Sequence, residues 1–229
     1  METVRRFKSR FPTVILAQGY DLTEAHGGVS LNLEVQPDNE RVESVGRLGS
    51  NVEAKILNPD TGDELPPRVL GELYIRGPMI MKGYTGDKEA TMATLDSEGW
   101  LRTGDLCYID EAGYLFIVDR LKELIKYKGH QVPPVELEKL LISHPDIIDA
   151  AVIPYPDEEA CQVPMAFVVR RDQSNLNKAQ IMDYVAKQVA PYKKIRRVSF
   201  VASIPKNPTG KILRRELIKL ALSNSPSKL

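Results

Sequence analysis

The sequence predicts a mixed α/β chain of the α+β kind, in which a β-rich first part gives way near residue 120 to a small module of alternating helices and strands. Three observations carry this. Up to about residue 120, short runs rich in Val, Ile, Leu and Tyr alternate with turns built from Gly, Pro, Asn and Asp. Beyond Arg120, apolar residues recur at helical spacing between β-branched runs. Apolar residues make up 42% of the 229, enough core for one large or two small domains. We place the boundary at Leu121-Lys122, giving 1–120, 121–223 and a polar tail over 224–229.

In order, TVILAQGY (13–20), VEAKILNPDTGDEL (52–65) and GELYIRG (71–77) read as strands, the second broken by a turn at Asn58-Pro59-Asp60-Thr61-Gly62. DKEATMATL reads as a short helix capped by Asp87, with Met92 and Leu95 as its apolar positions. DLCYID and YLFIVDR flank the turn Glu111-Ala112-Gly113 as a hairpin. Pro133-Pro134 opens a helix over VELEKLLISH, whose Leu137, Leu140, Leu141 and His144 share a face until Pro145 stops it. Strands at IIDAAVIPY and PMAFVVR follow. Next come a helix over NKAQIMDYVAKQVA with Ile181, Val185 and Val189 on one stripe, a strand at RVSFVASI and a last amphipathic helix over GKILRRELIKLAL.

Several functions lose ground at once. The 31 basic and 31 acidic residues cancel, so no nucleic-acid partner is expected. Cys107 and Cys161 have no metal or redox spacing and read as small buried hydrophobes in a reducing compartment. His26, His130 and His144 are scattered, and no metal-binding cluster is expected. No run approaches a bilayer span and METVRRFKSR is too polar for a signal peptide, so neither membrane insertion nor secretion is expected. Ser227-Lys228-Leu229 form the tripeptide read for peroxisomal import, which implies an import receptor as a partner.

Four segments carry chemistry. Gln18-Gly19-Tyr20-Asp21-Leu22-Thr23-Glu24 reads as a strand ending in a loop that offers Thr23 to a phosphate and Glu24 to Mg²⁺, although a helix-capping turn has the same look. GWLRTGD places Asp105 at the end of a turn, where its two oxygens suit ribose hydroxyls or simply a tight turn. DRLKELIKYKGHQV gathers Arg120, Lys122, Lys126 and Lys128 ahead of Gly129, suiting phosphates or a solvated basic face. PKNPTGKILRREL sets Lys211 at a helix start, a place for an anion that many helices share.

These four segments in this order, with GELYIRG, MKGY and DRLKELIKYKG between them, resemble the adenylate-forming superfamily over about residues 7–220. The resemblance is to the C-terminal portion of the plant 4-coumarate:CoA ligases and their peroxisomal 4-coumarate:CoA ligase-like relatives. It implies an acid–thiol ligase that uses ATP, Mg²⁺ and CoA, making an acyl-adenylate and then passing the acyl group to CoA. It implies that Gln18, Gly19, Tyr20, Thr23, Asp105, Arg120 and Lys122 serve ATP or AMP, Glu24 the metal, and Lys128 and Gly129 CoA. Lys211 would serve adenylation, Lys126 and Gln131 the second half-reaction, and Lys122 the hinge of a mobile lid. The small-molecule acid would be fatty, oxylipin-like or 4-coumarate-like.

Three departures stand out. Asp21 occupies a position usually held by Gly, His130 one usually aromatic, and no Ser/Thr/Gly-rich phosphate loop ending in Pro-Lys-Gly occurs in these 229 residues. A non-catalytic nucleotide- or CoA-binding or interaction module is therefore the competing reading.

Overall fold

The computed structural model describes residues 2–33 and 41–223, and its contacts divide the chain into two compact units, 1–121 and 122–229. The first unit holds α1 (Glu2–Arg10), β1 (Gln18–Leu22), β2 (Gly27–Asn32), β3 (Gly46–Leu48), β4 (Glu53–Leu57), β5 (Gly71–Arg76), α2 (Lys88–Thr94), β6 (Leu101–Ile109) and β7 (Tyr114–Arg120). Its strands form one seven-stranded sheet in the order β1-β2-β3-β7-β6-β5-β4, with every pair antiparallel.

Alternation along β5 and β6 sends Leu73, Ile75, Leu101 and Cys107 into one core with Leu115 of β7, all fully buried. Each Leu or Ile so buried contributes about 1.5–3 kcal/mol. Cys107 behaves as the small hydrophobe expected, and burial pushes its thiol above the ordinary range. The β6–β7 turn is fixed by Asp110, whose Oδ1 accepts the N–H groups of Ala112 and Tyr114 at 2.9 Å each. Asp87 caps α2 by accepting the Ala90 N–H at 2.9 Å, but Met92 is 80% exposed and α2 buries no residue.

The second unit holds β8 (Ile125–Tyr127), β9 (His130–Val132), α3 (Pro134–Ile142), β10 (Ile147–Asp157), β11 (Cys161–Arg170), α4 (Lys178–Ala186), β12 (Arg197–Phe200) and α5 (Arg214–Ser223). β10 and β11 pair antiparallel, β12 runs parallel to β11, and β8 continues the sheet to β9. Ala150, Val152, Ala166 and Val168 pack with Leu137 and Leu141 of α3 and Ile181 and Val185 of α4. Their neighbours Ala151, Ile153 and Phe167 point the other way and pack with Leu217 and Ala221 of α5. A sheet covered on both faces explains why β10 reads as a continuous apolar run. Asn177 and Gln180 close a capping box at the start of α4.

Five sequence expectations need correction. Residues 13–17 are not strand: β1 starts at Gln18, and Val14 and Ile15 are exposed with no ladder partner among the described residues to hold them extended. Gly19 lies within β1, paired with Leu31 of β2, and not in a loop; a Cβ there would sit 3.1 Å from the Ser30 carbonyl oxygen. Asp105 lies inside β6, where Gly104 takes φ 72° and the register slips between Leu106 and Cys107. Cys161 is exposed: it opens β11 with φ 68° at the tip of the β10–β11 hairpin. Helix α5 begins at Arg214, so Lys211 precedes it by three residues.

Candidate functional site

In the first unit the expected residues meet around Asp105. Its carboxylate is buried, and it accepts a short hydrogen bond from the Tyr20 hydroxyl, 85 residues away in sequence. Arg120, its cross-strand partner on β7, brings Nε to 3.5 Å of the other oxygen. Thr103 completes the cradle, its hydroxyl accepting the Asp105 N–H at 3.1 Å and donating to the Leu73 carbonyl at 2.8 Å. Burial and then the Asp105 charge raise the Tyr20 pKa, so the phenol stays protonated and remains a donor. The turn at Gly104 and the bulge after it aim Asp105 at Tyr20, a use of strand irregularity common beside active sites.

On β1, Gln18 donates from Nε2 to the Val42 carbonyl at 2.9 Å, which ties the strand down on one side of Tyr20. Asp21, next to Tyr20, is exposed, and the β1–β2 register slips between the two. A cleft of about 650 Å³ opens beside Gly19, Tyr20 and Asp21.

The next residues form a 3₁₀ turn, Thr23–Ala25, in which Thr23 is exposed and Glu24 half-buried. Tyr84 donates its hydroxyl to Glu24 Oε1 at 2.7 Å, and Met81 N–H holds the Glu24 carbonyl at 2.8 Å. That hydrogen bond is the first cause of a raised Tyr84 pKa. Sequence reading missed Tyr84 and Thr103 as members of the site. MKGY marks the first only as part of a resemblance, and nothing local signals a contact that spans 60 residues.

Among the described residues no group of three His, Cys, Asp or Glu could hold a metal ion alone. The lone Glu24 carboxylate fits Mg²⁺ only if the ion comes on phosphates, which is how Mg²⁺ is usually held.

The second unit carries its cations on two separate hairpins. β8 and β9 are joined by a two-residue turn with Lys128 at φ 45° and Gly129 at φ 81°, the type I′ geometry. Lys126 and Gln131 face each other across it as direct partners, so their side chains leave the same face. The Lys126 N–H is satisfied from outside the pair by Gln162 Oε1 at 2.8 Å, and Lys128 N–H by the Ala160 carbonyl at 3.1 Å. His130 stacks on Tyr192 with ring centres 4.3 Å apart.

Lys211 sits on the other hairpin, closed by a bridge between Lys206 and Ile212. Asn207 builds its turn: its side-chain oxygen accepts the N–H groups of Thr209 at 3.1 Å and Lys211 at 2.8 Å. This capture of backbone donors by Asn delays the helix to Arg214 and leaves Lys211 exposed on a fixed loop. Lys122 is exposed in the 3₁₀ turn Leu121–Glu123. The side chains of Lys126, Lys128, Gln131 and Lys211 make no hydrogen bond or ion pair among the described residues, which leaves them available to a ligand. Ser227, Lys228 and Leu229 lie outside the described residues.

Comparison with known proteins agrees with this geometry. Residues 1–85 match the model of the AMP-binding enzymes, and residues 136–211 match that of the AMP-binding enzyme C-terminal domain. The chain is 59% identical over 228 residues to 4-coumarate--CoA ligase-like 9 of Arabidopsis thaliana, covering 100% of the chain and 40% of that protein. It is 58% identical over 224 residues to the peroxisomal OPC-8:0-CoA ligase 1 of the same plant, covering 98% of the chain and 41% of that protein. ATP-bound MatB from Rhodopseudomonas palustris superposes with a TM-score of 0.87 at 30% identity, over 96% of this chain and 43% of MatB. The chain thus spans about two fifths of the length of the relatives it matches.

Proposed function

The chain belongs to the AMP-binding enzymes of the 4-coumarate:CoA ligase-like type, and from that premise we propose that it supplies the nucleotide-holding strands and the mobile lid of an acid:CoA ligase. The reaction is that of a carboxylic acid with ATP to give acyl-adenylate and pyrophosphate, followed by attack of the CoA thiol to give acyl-CoA and AMP. The observation that carries this reading is the buried Asp105, braced by Tyr20, Thr103 and Arg120. A buried carboxylate that accepts from a phenol and lies beside a guanidinium offers fixed acceptors to a pair of ribose hydroxyls.

In this reading Gln18, Gly19 and Tyr20 line the adenine and acyl side, and Thr23 takes a phosphate oxygen. Glu24, oriented by Tyr84, would hold Mg²⁺ together with the phosphates, and the ion would supply charge neutralisation there. Lys211 bridges the carboxylate and the α-phosphate during adenylation. Rotation about Lys122 then exchanges its hairpin for the one bearing Lys126 and Gln131, with Lys128 and Gly129 meeting CoA. The acid itself is proposed to be fatty, oxylipin-like or 4-coumarate-like.

The test joins this chain to the upstream part of a 4-coumarate:CoA ligase-like relative. The fusion is expected to form acyl-CoA dependent on acid, ATP and CoA. Asp105→Ala removes two charge-assisted hydrogen bonds to ribose, about 3 kcal/mol, and is expected to lower kcat/KM for ATP roughly a hundredfold. A well-folded fusion with no thioester product would favour the binding-module reading.

We also place the protein in peroxisomes, on the strength of Ser227-Lys228-Leu229. A fluorescent protein carrying the last ten residues is expected to enter peroxisomes and to return to the cytosol when the final three are deleted. Diffuse fluorescence from the intact tail would remove the assignment.

A further inference from the structure

The Lys211 hairpin is pinned on both legs to the same strand system. On the incoming leg Lys206 Nζ lies 2.6 Å from Asp149 Oδ2 on β10. On the outgoing leg the Leu213 N–H donates to the Pro205 carbonyl at 2.9 Å, closing the base, and the next residue is Arg214. Its Nη2 reaches both oxygens of Glu138, at 2.8 and 2.9 Å, and Glu138 Oε1 also accepts the Val152 N–H of β10 at 2.8 Å. Its Nη1 makes a second ion pair, lying 3.3 Å from Glu123 Oε2 in the turn Leu121–Glu123. One guanidinium therefore joins α3, β10, the base of the Lys211 hairpin and the turn that contains Lys122.

Stability alone does not account for this arrangement. Glu138 is 6% exposed, and a buried ion pair of this kind returns little net stability over a well-packed apolar substitute. Arg214 Nε is buried without a hydrogen-bond partner among the described residues, a further cost. A lysine would satisfy one carboxylate as a point charge, whereas a planar fork spans two carboxylates on different elements in fixed directions.

We infer that Arg214 is a positioning residue that, through Glu123, ties the segment just after Lys122 to the Lys211 hairpin, so that movement of that segment carries Lys211 with it. This rests on the ligase reading only for the role of Lys211 and of the hinge; the coupling itself belongs to the second unit and is read without turnover.

Hydrogen–deuterium exchange of the 229-residue chain, resolved by mass spectrometry, tests it. Glu123→Ala removes one arm and leaves the Arg214–Glu138 pair. It is expected to speed exchange in both 121–124 and 205–213 by roughly threefold or more, with β10 and β11 unchanged. Arg214→Lys keeps the charge but not the fork and is expected to give the same pattern in both segments, whereas a purely structural role would be met by the lysine. Arg214→Ala is expected to give the largest change; if it unfolds the unit, the other two variants decide. Loosening of 121–124 alone, uniform acceleration across the unit, or no change in either segment would overturn the coupling. Any of these would leave the ligase reading intact, and an inactive fusion protein would leave the coupling intact.

Discussion

In the fusion protein, Lys211→Ala is expected to reduce ATP–pyrophosphate exchange by about a hundred- to a thousandfold, the loss typical of removing one preorganised stabilising group from a transition state. Negative charge builds at the α-phosphorus as the carboxylate attacks, and an exposed lysine on the Asn207-built hairpin has no partner among the described residues competing for its charge. Thioester formation from supplied acyl-adenylate is expected to survive, because the proposed function assigns that step to the other hairpin. Lys126→Ala is expected to do the reverse, sparing exchange while slowing thioester formation. The two lysines occupy separately closed hairpins with separate anchors, so truncating one leaves the backbone of the other undisturbed. Equal loss of both half-reactions in either variant would refute the division of labour.

The 229-residue chain expressed by itself is expected to show no measurable ATP–pyrophosphate exchange with fatty or cinnamic acids, although Asp105, Arg120 and Lys211 are all present. Nucleotidyl transfer depends mainly on positioning and on charge stabilisation of the leaving pyrophosphate. These residues contain no Ser/Thr/Gly-rich phosphate loop to supply several donors at once, and each missing donor costs roughly 3–4 kcal/mol. Binding is a different matter, and weak retention of AMP is compatible with the braced Asp105. Robust exchange by the isolated chain would mean that the described strands supply phosphate contacts of their own.

Local physics made much of this molecule legible. Asp87 announces a helix start because a side-chain oxygen satisfies a backbone donor within a few residues. The apolar stripe at Leu137, Leu140 and Leu141, and the run through β10, follow from burial on one face or two. Contacts between distant residues were not legible: Tyr20 with Asp105, Glu24 with Tyr84, and Glu138 with Arg214 join elements 85, 60 and 76 positions apart. Glu138 lies between Leu137 and Lys139 as an ordinary helical carboxylate, and only the folded sheet reveals that it is buried. The β8–β9 hairpin hid inside a charge run, since its turn uses Lys-Gly and not the Asn-Gly that usually signals such a geometry. Residues 13–17 misled in the opposite direction: their composition favours strand, but no neighbouring strand pairs with them.

The turn at Lys128 and Gly129 sets two selective pressures against each other. A side chain in the left-handed region costs about 1–2 kcal/mol that Gly or Asn largely avoids, so a library screened for heat resistance would drift away from lysine at 128. A library screened for turnover would keep the cation and bear that cost. Consensus or thermostability engineering of this chain should therefore hold position 128 fixed, since an improvement in melting temperature obtained there would come at the expense of the proposed CoA contact.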